Sequence, residues 1–281
     1  MRPAYRRLAT IAVALAAGVA CCAAVSRGPD PVWAQEFTGP AGTPPDIDVW
    51  QIMDLAGGWG NQELQAYTTR PVNIAYDGRG NLRITAQRER WTDPRGNRAG
   101  YTSARVESVE AFRYGRIEAR IRVPAGQGLW SAFWTLGTDR ERVGWPAVGE
   151  IDIMELRNDT RELELSAHGQ AGRRDRWREP ATVAAEPFAG EWHVYRLDWT
   201  PGRLAWFVDG VQRHVLERAD LGRDQHWPFD RPQHLLLNLA VGGRWPGPPD
   251  ATTPLPAHML VDWVRVHDVS VIDDVGTGDG W

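Results

Sequence analysis

No stretch of the 281 residues repeats its apolar positions at a helical period; apolar and polar residues alternate instead, in short runs broken by Gly, Pro and Asp. A period of two marks a strand that buries one face, and many such runs in succession read as a sandwich or barrel. In GRIEARIRV, Ile117, Ala119, Ile121 and Val123 share one face, while Arg116, Glu118, Arg120 and Arg122 share the other. LAWFVDGVQRHVL reads as a hairpin with Asp209-Gly210 at its turn. Further strands are predicted over Leu82–Gln87, Leu129–Leu136, Leu163–His168, Val194–Thr200, His234–Ala240 and Met259–His267. Loops are predicted over Thr92–Gly100, Gly169–Pro180 and Gly242–Pro256. No repeat or interdomain linker divides the chain, and an all-β domain of this length need not be split.

The first residues have a different character. Arg2, Arg6 and Arg7 precede an uncharged run, Leu8–Val25, with small residues at Ala23, Ala24 and Ser26. This is the make-up of a signal peptide over residues 1–26, which sends the chain out of the cell or to its surface. The alternative is a retained anchor, because 18 uncharged residues nearly suffice to span a bilayer. Both cysteines, Cys21 and Cys22, lie in this leader, so the body has no thiol, disulfide or cysteine metal site. Net charge is −4, and removing the leader takes away three arginines and no acid. An acidic body excludes nucleic acid as the partner; after cleavage no membrane association is expected, and the chain is expected to be a monomer. Residues 268–281 read as a flexible, polar, Gly-rich tail.

Fifteen Trp against six Phe and six Tyr exceed what a β core needs, since each buried indole N–H requires a partner. Such an excess suits a surface for flat, apolar ring faces, and sugars present those. Trp130, Ala132 and Trp134 fall on one face of their strand, with the small residue leaving room between two indoles. Trp145 sits just ahead of the next strand, and Trp245 lies in the loop GGRWPG.

GEIDIMEL, residues 149–156, places three acids in what is otherwise a buried strand. Glu150 and Asp152 point the same way, whereas Glu155, five residues on, would face the opposite side of a regular strand. A β-bulge at Ile153-Met154 shifts the phase by one and returns Glu155 to the face of the other two. Nothing structural favours three carboxylates side by side. Glycosidic hydrolysis does, because a retaining glycosidase needs a nucleophilic carboxylate and a proton-donating carboxyl about 5–5.5 Å apart.

The full string Trp145–Glu155 resembles the active-site strand of glycoside hydrolase family 16, in the branch with the extra Met, the laminarinase-type endo-β-1,3-glucanases. The resemblance extends over residues 33–267, through WGNQELQ from Trp59, YTSAR from Tyr101, GLWSAFWTLG from Gly128, EWHVYRLDWT from Glu191 and LNLAVGGRWPGPPDATTP from Leu237. It implies a β-jelly-roll sandwich of two curved antiparallel sheets with a concave substrate cleft. It also implies Glu150 as nucleophile, Glu155 as general acid/base, and Asp152 between them holding Glu150. Asn61, Arg105 and Asn238 match polar positions of the family's cleft, Trp130, Trp134, Trp145 and Trp245 its stacking surface, and His168 a histidine near the acid/base. No metal or cofactor is expected for catalysis. A structural calcium on the convex face is implied, with Asp262 as ligand and main-chain donors at Glu36 and Gly80. The expected substrate is a β-glucan, with mixed-linkage β-glucan or a galactan as alternatives within the fold, and a non-catalytic glucan-binding module as the alternative of another class.

Overall fold

A computed structural model describes residues 29–173 and 175–272. The chain divides into Met1–Asp30 and Pro31–Trp281, and every described strand lies in the second unit. The expected leader lies outside the described residues, as does the tail beyond Ile272. Ahead of that point, Asp268 caps a short 3-10 turn, Val269–Val271, by accepting a hydrogen bond from the Ser270 N–H. Among the described residues no helix is long and apolar enough to cross a membrane.

Two sheets form a jelly-roll sandwich around one hydrophobic core. The larger runs, in spatial order, through Val211–Glu217, Arg203–Val208, His193–Thr200, Gly115–Arg122, Ala257–His267, Leu82–Thr92, Arg98–Ser103 and Gln65–Tyr67, with Trp33–Gln35 and Ile74–Tyr76 as short additions. The smaller runs through Asp175–Ala184, Glu162–Ala171, Glu150–Asn158, Gly126–Gly137, Gln233–Val241, Arg105–Phe112 and Trp50–Ile52. Neighbours pair antiparallel throughout, save Gln65–Tyr67 with Arg98–Ser103, which run parallel.

Alternation places the core where expected: Ile117, Ala119 and Ile121 are wholly buried, and their arginine neighbours face away. Trp50, Trp199 and Trp206 are also wholly buried. The Asp209-Gly210 turn has φ +50° and +79°, the two-residue geometry that suits strand twist. Thr92–Gly100 is a tighter connection than expected, because the Asp93 carboxylate accepts from the Arg95 and Asn97 N–H groups and closes the turn between two strands.

Gly169–Pro180 is a hairpin, not a loop: strand Glu162–Ala171 turns into strand Asp175–Ala184, and the two pair over their full length. Asp175–Ala184 is the sheet's edge, exposed and charged, so it lacks the apolar alternation that marks an interior strand. Its one buried side chain, Trp177, packs where a Cβ on Gly169 would stand, 2.5 Å from the indole carbons.

Candidate functional site

The acids sit on the third strand of the smaller sheet, and the bulge is present. Against Gly126–Gly137, Asp152 pairs with Trp134 and Met154 with Phe133, leaving Ile153 as the extra residue. Against Glu162–Ala171, the register shifts between Asp152 and Glu155. Ile151, Ile153, Met154 and Leu156 all lie in the core, so two consecutive core residues replace the usual one. Glu150, Asp152 and Glu155 consequently line one cavity on the opposite face. A bulge leaves backbone groups without ladder partners. Here the Trp206 indole, reaching through the core from the larger sheet, donates to the Asp152 carbonyl at 2.9 Å. The strand is entered through Gly149, at φ +82°, where a Cβ would stand 2.7 Å from the Pro228 ring.

Asp152 is held by Ser166 Oγ, which donates to its Oδ2 at 2.5 Å, and by His168 Nε2 at 3.1 Å. His168 is also 3.8 Å from Glu150. It pairs across the strands with Glu150, so it stands at the Glu150 end and not beside Glu155; the neighbour opposite Glu155 is Glu164. Burial pushes the Glu150 carboxyl up to about 8, helped by the Asp152 charge and opposed by His168, Arg105 and a hydrogen bond from Trp145. Burial likewise raises Glu155 well above the ordinary carboxyl range, reinforced by the charges of Asp152 and Glu150. For His168 burial disfavours the charged ring, but the bond to Asp152 and the nearby carboxylates outweigh it and raise its pKa. Two neighbouring carboxyls held above their ordinary range, Glu150 and Glu155, are the electrostatic setting for acid–base chemistry.

Aromatic walls rise around the acids. The cavity, about 560 Å³, is lined by Trp59, Asn61, Trp130, Trp145, His168 and Trp245 besides the three acids. Trp130 and Trp245 meet edge to face at 5.0 Å. Trp145, which is 47% exposed, lies 6.0 Å from the His168 ring. Across the floor, Trp134 donates its indole N–H to Asn238 Oδ1 at 2.7 Å, with Ala132 beside them. The Arg105 guanidinium lies 4.8 Å from the Trp134 ring and 5.6 Å from that of Trp59. Asn61 contributes its backbone as well, since its carbonyl accepts from the Arg244 N–H and ties two loops together. Every cleft residue singled out in the sequence is therefore brought to this one face.

Other residues here were not read from the sequence. Glu63 lines the same floor; it accepts from Gln65 at 2.6 Å and Tyr67 at 3.3 Å, and burial raises its carboxyl to about 7. It lies inside the WGNQELQ string, but nothing in that string says which way the side chain turns. Ser166, Glu164, Arg176 and Arg178 come from the hairpin whose second strand carried no apolar signal.

On the face of the larger sheet away from the core, Asp262 accepts from Arg120 Nη1 at 2.6 Å, and the Glu36 carboxylate accepts from Arg265 at 2.8 Å. The register brings Glu36 alongside the Asp262 strand, because Gln35 pairs with Val264. Gly80 lies in the turn after Ile74–Tyr76, where Leu82 pairs with Val261.

Comparison with known proteins agrees with this geometry. The family model described as glycosyl hydrolases family 16 matches residues 61–265. A β-glucanase from Rhodothermus marinus is 40% identical over 252 residues, covering 84% of this chain and 84% of that one. The crystal structure of the laminarinase catalytic domain from Thermotoga maritima superposes with a TM-score of 0.77 at 37% identity, covering 85% of this chain and 98% of the other. An endo-β-1,3-glucanase from Pyrococcus furiosus gives 0.76 at 38%, with 84% and 93% coverage.

Proposed function

This chain belongs to the glycosyl hydrolases of family 16, and from that premise we propose that it is a secreted, endo-acting, retaining β-1,3-glucanase. The observation that carries the reading is the bulge at Ile153-Met154, which aligns Glu150, Asp152 and Glu155 on one face of an aromatic-walled cleft. Relatives similar over nearly the whole body are named as β-glucanase, laminarinase and endo-β-1,3-glucanase, which favours β-1,3-linked glucan over mixed-linkage glucan.

The surroundings of the two glutamates support the division of roles. Glu155 is buried and Glu150 largely so, which favours the proton. At Glu150 this is opposed by His168, Arg105 and the Trp145 N–H, so of the two Glu150 is the one that gives up its proton first and becomes the carboxylate that attacks. At Glu155 the flanking charges are Asp152, Glu150 and Glu164, with Arg178 alone opposing, so the proton resides there. Glu155 then protonates the leaving oxygen while Glu150 attacks the anomeric carbon. Water, deprotonated by Glu155, later releases the sugar and restores both groups. Asp152, fixed by Ser166 and His168, holds its charge between the two and favours the proton on both.

Trp130, Trp134, Trp145 and Trp245 offer stacking faces to the sugars, while Asn61, Arg105 and Asn238 meet their hydroxyls. Export follows from the leader, the substrate is a β-glucan polymer, and the chain acts as a monomer. The calcium expectation stands as a proposal with a definite competitor: a cation at Asp262 must displace the Arg120 guanidinium. A Ca²⁺-dependent rise in Tm would support that site.

The experiment is reducing-sugar release from linear β-1,3-glucan and mixed-linkage β-glucan, with Glu150→Ser as the blank. Faster release from linear β-1,3-glucan is expected, with the variant reduced by about 10⁴-fold or more. Preference for the mixed-linkage polymer would overturn the specificity, and normal turnover in the variant would overturn the mechanism.

A further inference from the structure

Glu155 has a carboxylate neighbour to which double displacement gives no task. In the pairing of Glu150–Asn158 with Glu162–Ala171, Glu155 stands opposite Glu164. Leu163 and Leu165, on either side of Glu164, are wholly buried in the core, so Glu164 shares the outer face with Glu155. Directly opposed residues on one face hold their Cβ atoms roughly 4.5–5.5 Å apart, and like charges so placed repel. Glu164 is only 8% exposed, and both of its oxygens are engaged. Arg178 donates to Oε2 at 3.0 Å and Thr182 Oγ1 to Oε1 at 2.6 Å. Both donors belong to the edge strand Asp175–Ala184.

Glu155 therefore lies in the field of a fixed pair of opposite charges. Arg178 draws Glu155 towards its ionised form, and Glu164 pushes it back. Remove Glu164, and Arg178 acts on Glu155 without the charge that stands beside it. The other charges facing Glu155 are already committed. On its own strand, Glu150 and Asp152 oppose its ionisation, and Arg157 is paired with Glu162 at 3.0 Å. His168 is bonded to Asp152, and Arg176 lies over the Trp145 ring at 5.4 Å. Across the floor, Arg105 rests on two indoles and Glu63 is held by Gln65 and Tyr67.

We propose that Glu164 is a positioning residue for the reaction: its carboxylate, fixed by Arg178 and Thr182, offsets Arg178 at Glu155 and so keeps Glu155 a proton donor. The inference rests on Glu155 being the general acid/base. A purely structural Glu164 would do no more than tie the edge strand to the sheet, and the two roles part company in the pH profile.

The test is kcat/KM on linear β-1,3-glucan across pH for the full enzyme and for Glu164→Gln, Arg178→Gln and the double variant, with Tm measured alongside. Glu164→Gln keeps the size and the contact with Thr182 but removes the charge; its alkaline limb should move down by about one pH unit. Arg178→Gln should move that limb up, and the double variant should return it near the wild type. Glu164→Asp should hold the limb where it was. Lower Tm and lower rate in both single variants with unmoved limbs would overturn the proposal. If Glu164→Gln fails to fold, the Arg178→Gln limb still decides, since an unmoved or lowered limb contradicts the offset. A dinitrophenyl β-glycoside of a β-1,3-linked glucose dimer, which needs no proton on its leaving group, separates the layers of inference. An alkaline limb that persists on that substrate removes Glu155 from the acid role. A limb that vanishes there, yet stays fixed on glucan in Glu164→Gln, removes only Glu164 from its role.

Discussion

The outward faces of the two sheets carry the same kinds of residue, and they part at one place, the cluster of Glu150, Asp152 and Glu155. On the larger sheet, acids are met by arginine: Asp198 by Arg116 and Arg196, Asp262 by Arg120 and Glu36 by Arg265. On the smaller sheet Glu164 is met by Arg178 and Glu107 by Arg140 in the same way, but among the described residues the one ion-pair partner of Glu150 and Asp152 is His168, and Glu155 has none. Sequence alternation produces both faces, so alternation alone does not distinguish a stabilising surface from a reactive one. The distinction lies in where the compensating cations stand. Cations beside each acid give a solvated mosaic, whereas withholding them, together with burial, forces neighbouring carboxyls to hold protons that they would otherwise lose.

Moving Glu155 from the cleft to the core breaks this contrast most severely. One Ala inserted after Met154 adds a residue that the bulge does not absorb, turning Glu155 inward among the leucines and Leu156 outward. Loss of the proton donor should cost about 10²–10⁴-fold in kcat/KM, and an unpaired carboxyl in the core should lower Tm as well. Deleting Met154 is the counterpart, because Glu150, Asp152 and Glu155 then fall in regular alternation on one face. The deletion should therefore retain far more activity than the insertion. Equal activities, measured on linear β-1,3-glucan, would show that the bulge does not set the phase.

How far this was legible depends on which interactions lie within one strand and which cross between strands. Ile153-Met154, two core residues in succession, announced the bulge, and the bulge announced the face of Glu155. The strand Gly115–Arg122 could be read directly, for its period is unbroken. Asp175–Ala184 could not, because an exposed edge strand buries a single indole and its charges imitate a loop. With that strand went Arg178 and, across from it, the place of Glu164. His168 was expected beside the acid/base and stands beside Glu150, since pairing register is decided by turn geometry and by the bulge rather than by local composition. Glu63 was hidden for a related reason: its direction depends on Gln65, whose side-chain oxygen accepts from the Val241 N–H 176 positions away.

The protons held in the cleft make stability depend on pH in a definite direction. The Glu150 carboxyl is raised from 4.5 to about 8, so between those values the folded chain keeps a proton that the unfolded chain has released. Stability from this group is fully present below about 4.5 and is lost as pH rises through about 8. Glu150→Gln cannot titrate, so its stability relative to the wild type should grow as pH rises from about 4.5 towards about 8, by on the order of a few kcal/mol, read as a widening gap in Tm. A variant whose advantage shrinks as pH rises would place the charge imbalance elsewhere than at Glu150.

The smallest effect is expected on the other face. Arg120→Gln removes the guanidinium from Asp262, in a pair whose side chains are 38% and 30% exposed. Water and salt screen both charges, so the change should cost no more than about 1 kcal/mol. The kcat and both limbs of the pH profile should stay those of the wild type, because Arg120 and the acids occupy opposite outward faces with the core between them. A shifted pH profile in this variant would mean that the arginines of the larger sheet act on the cleft through the sandwich. Charge compensation would then be a property of the whole molecule, and the contrast between the two faces would no longer account for the protons held at Glu150 and Glu155.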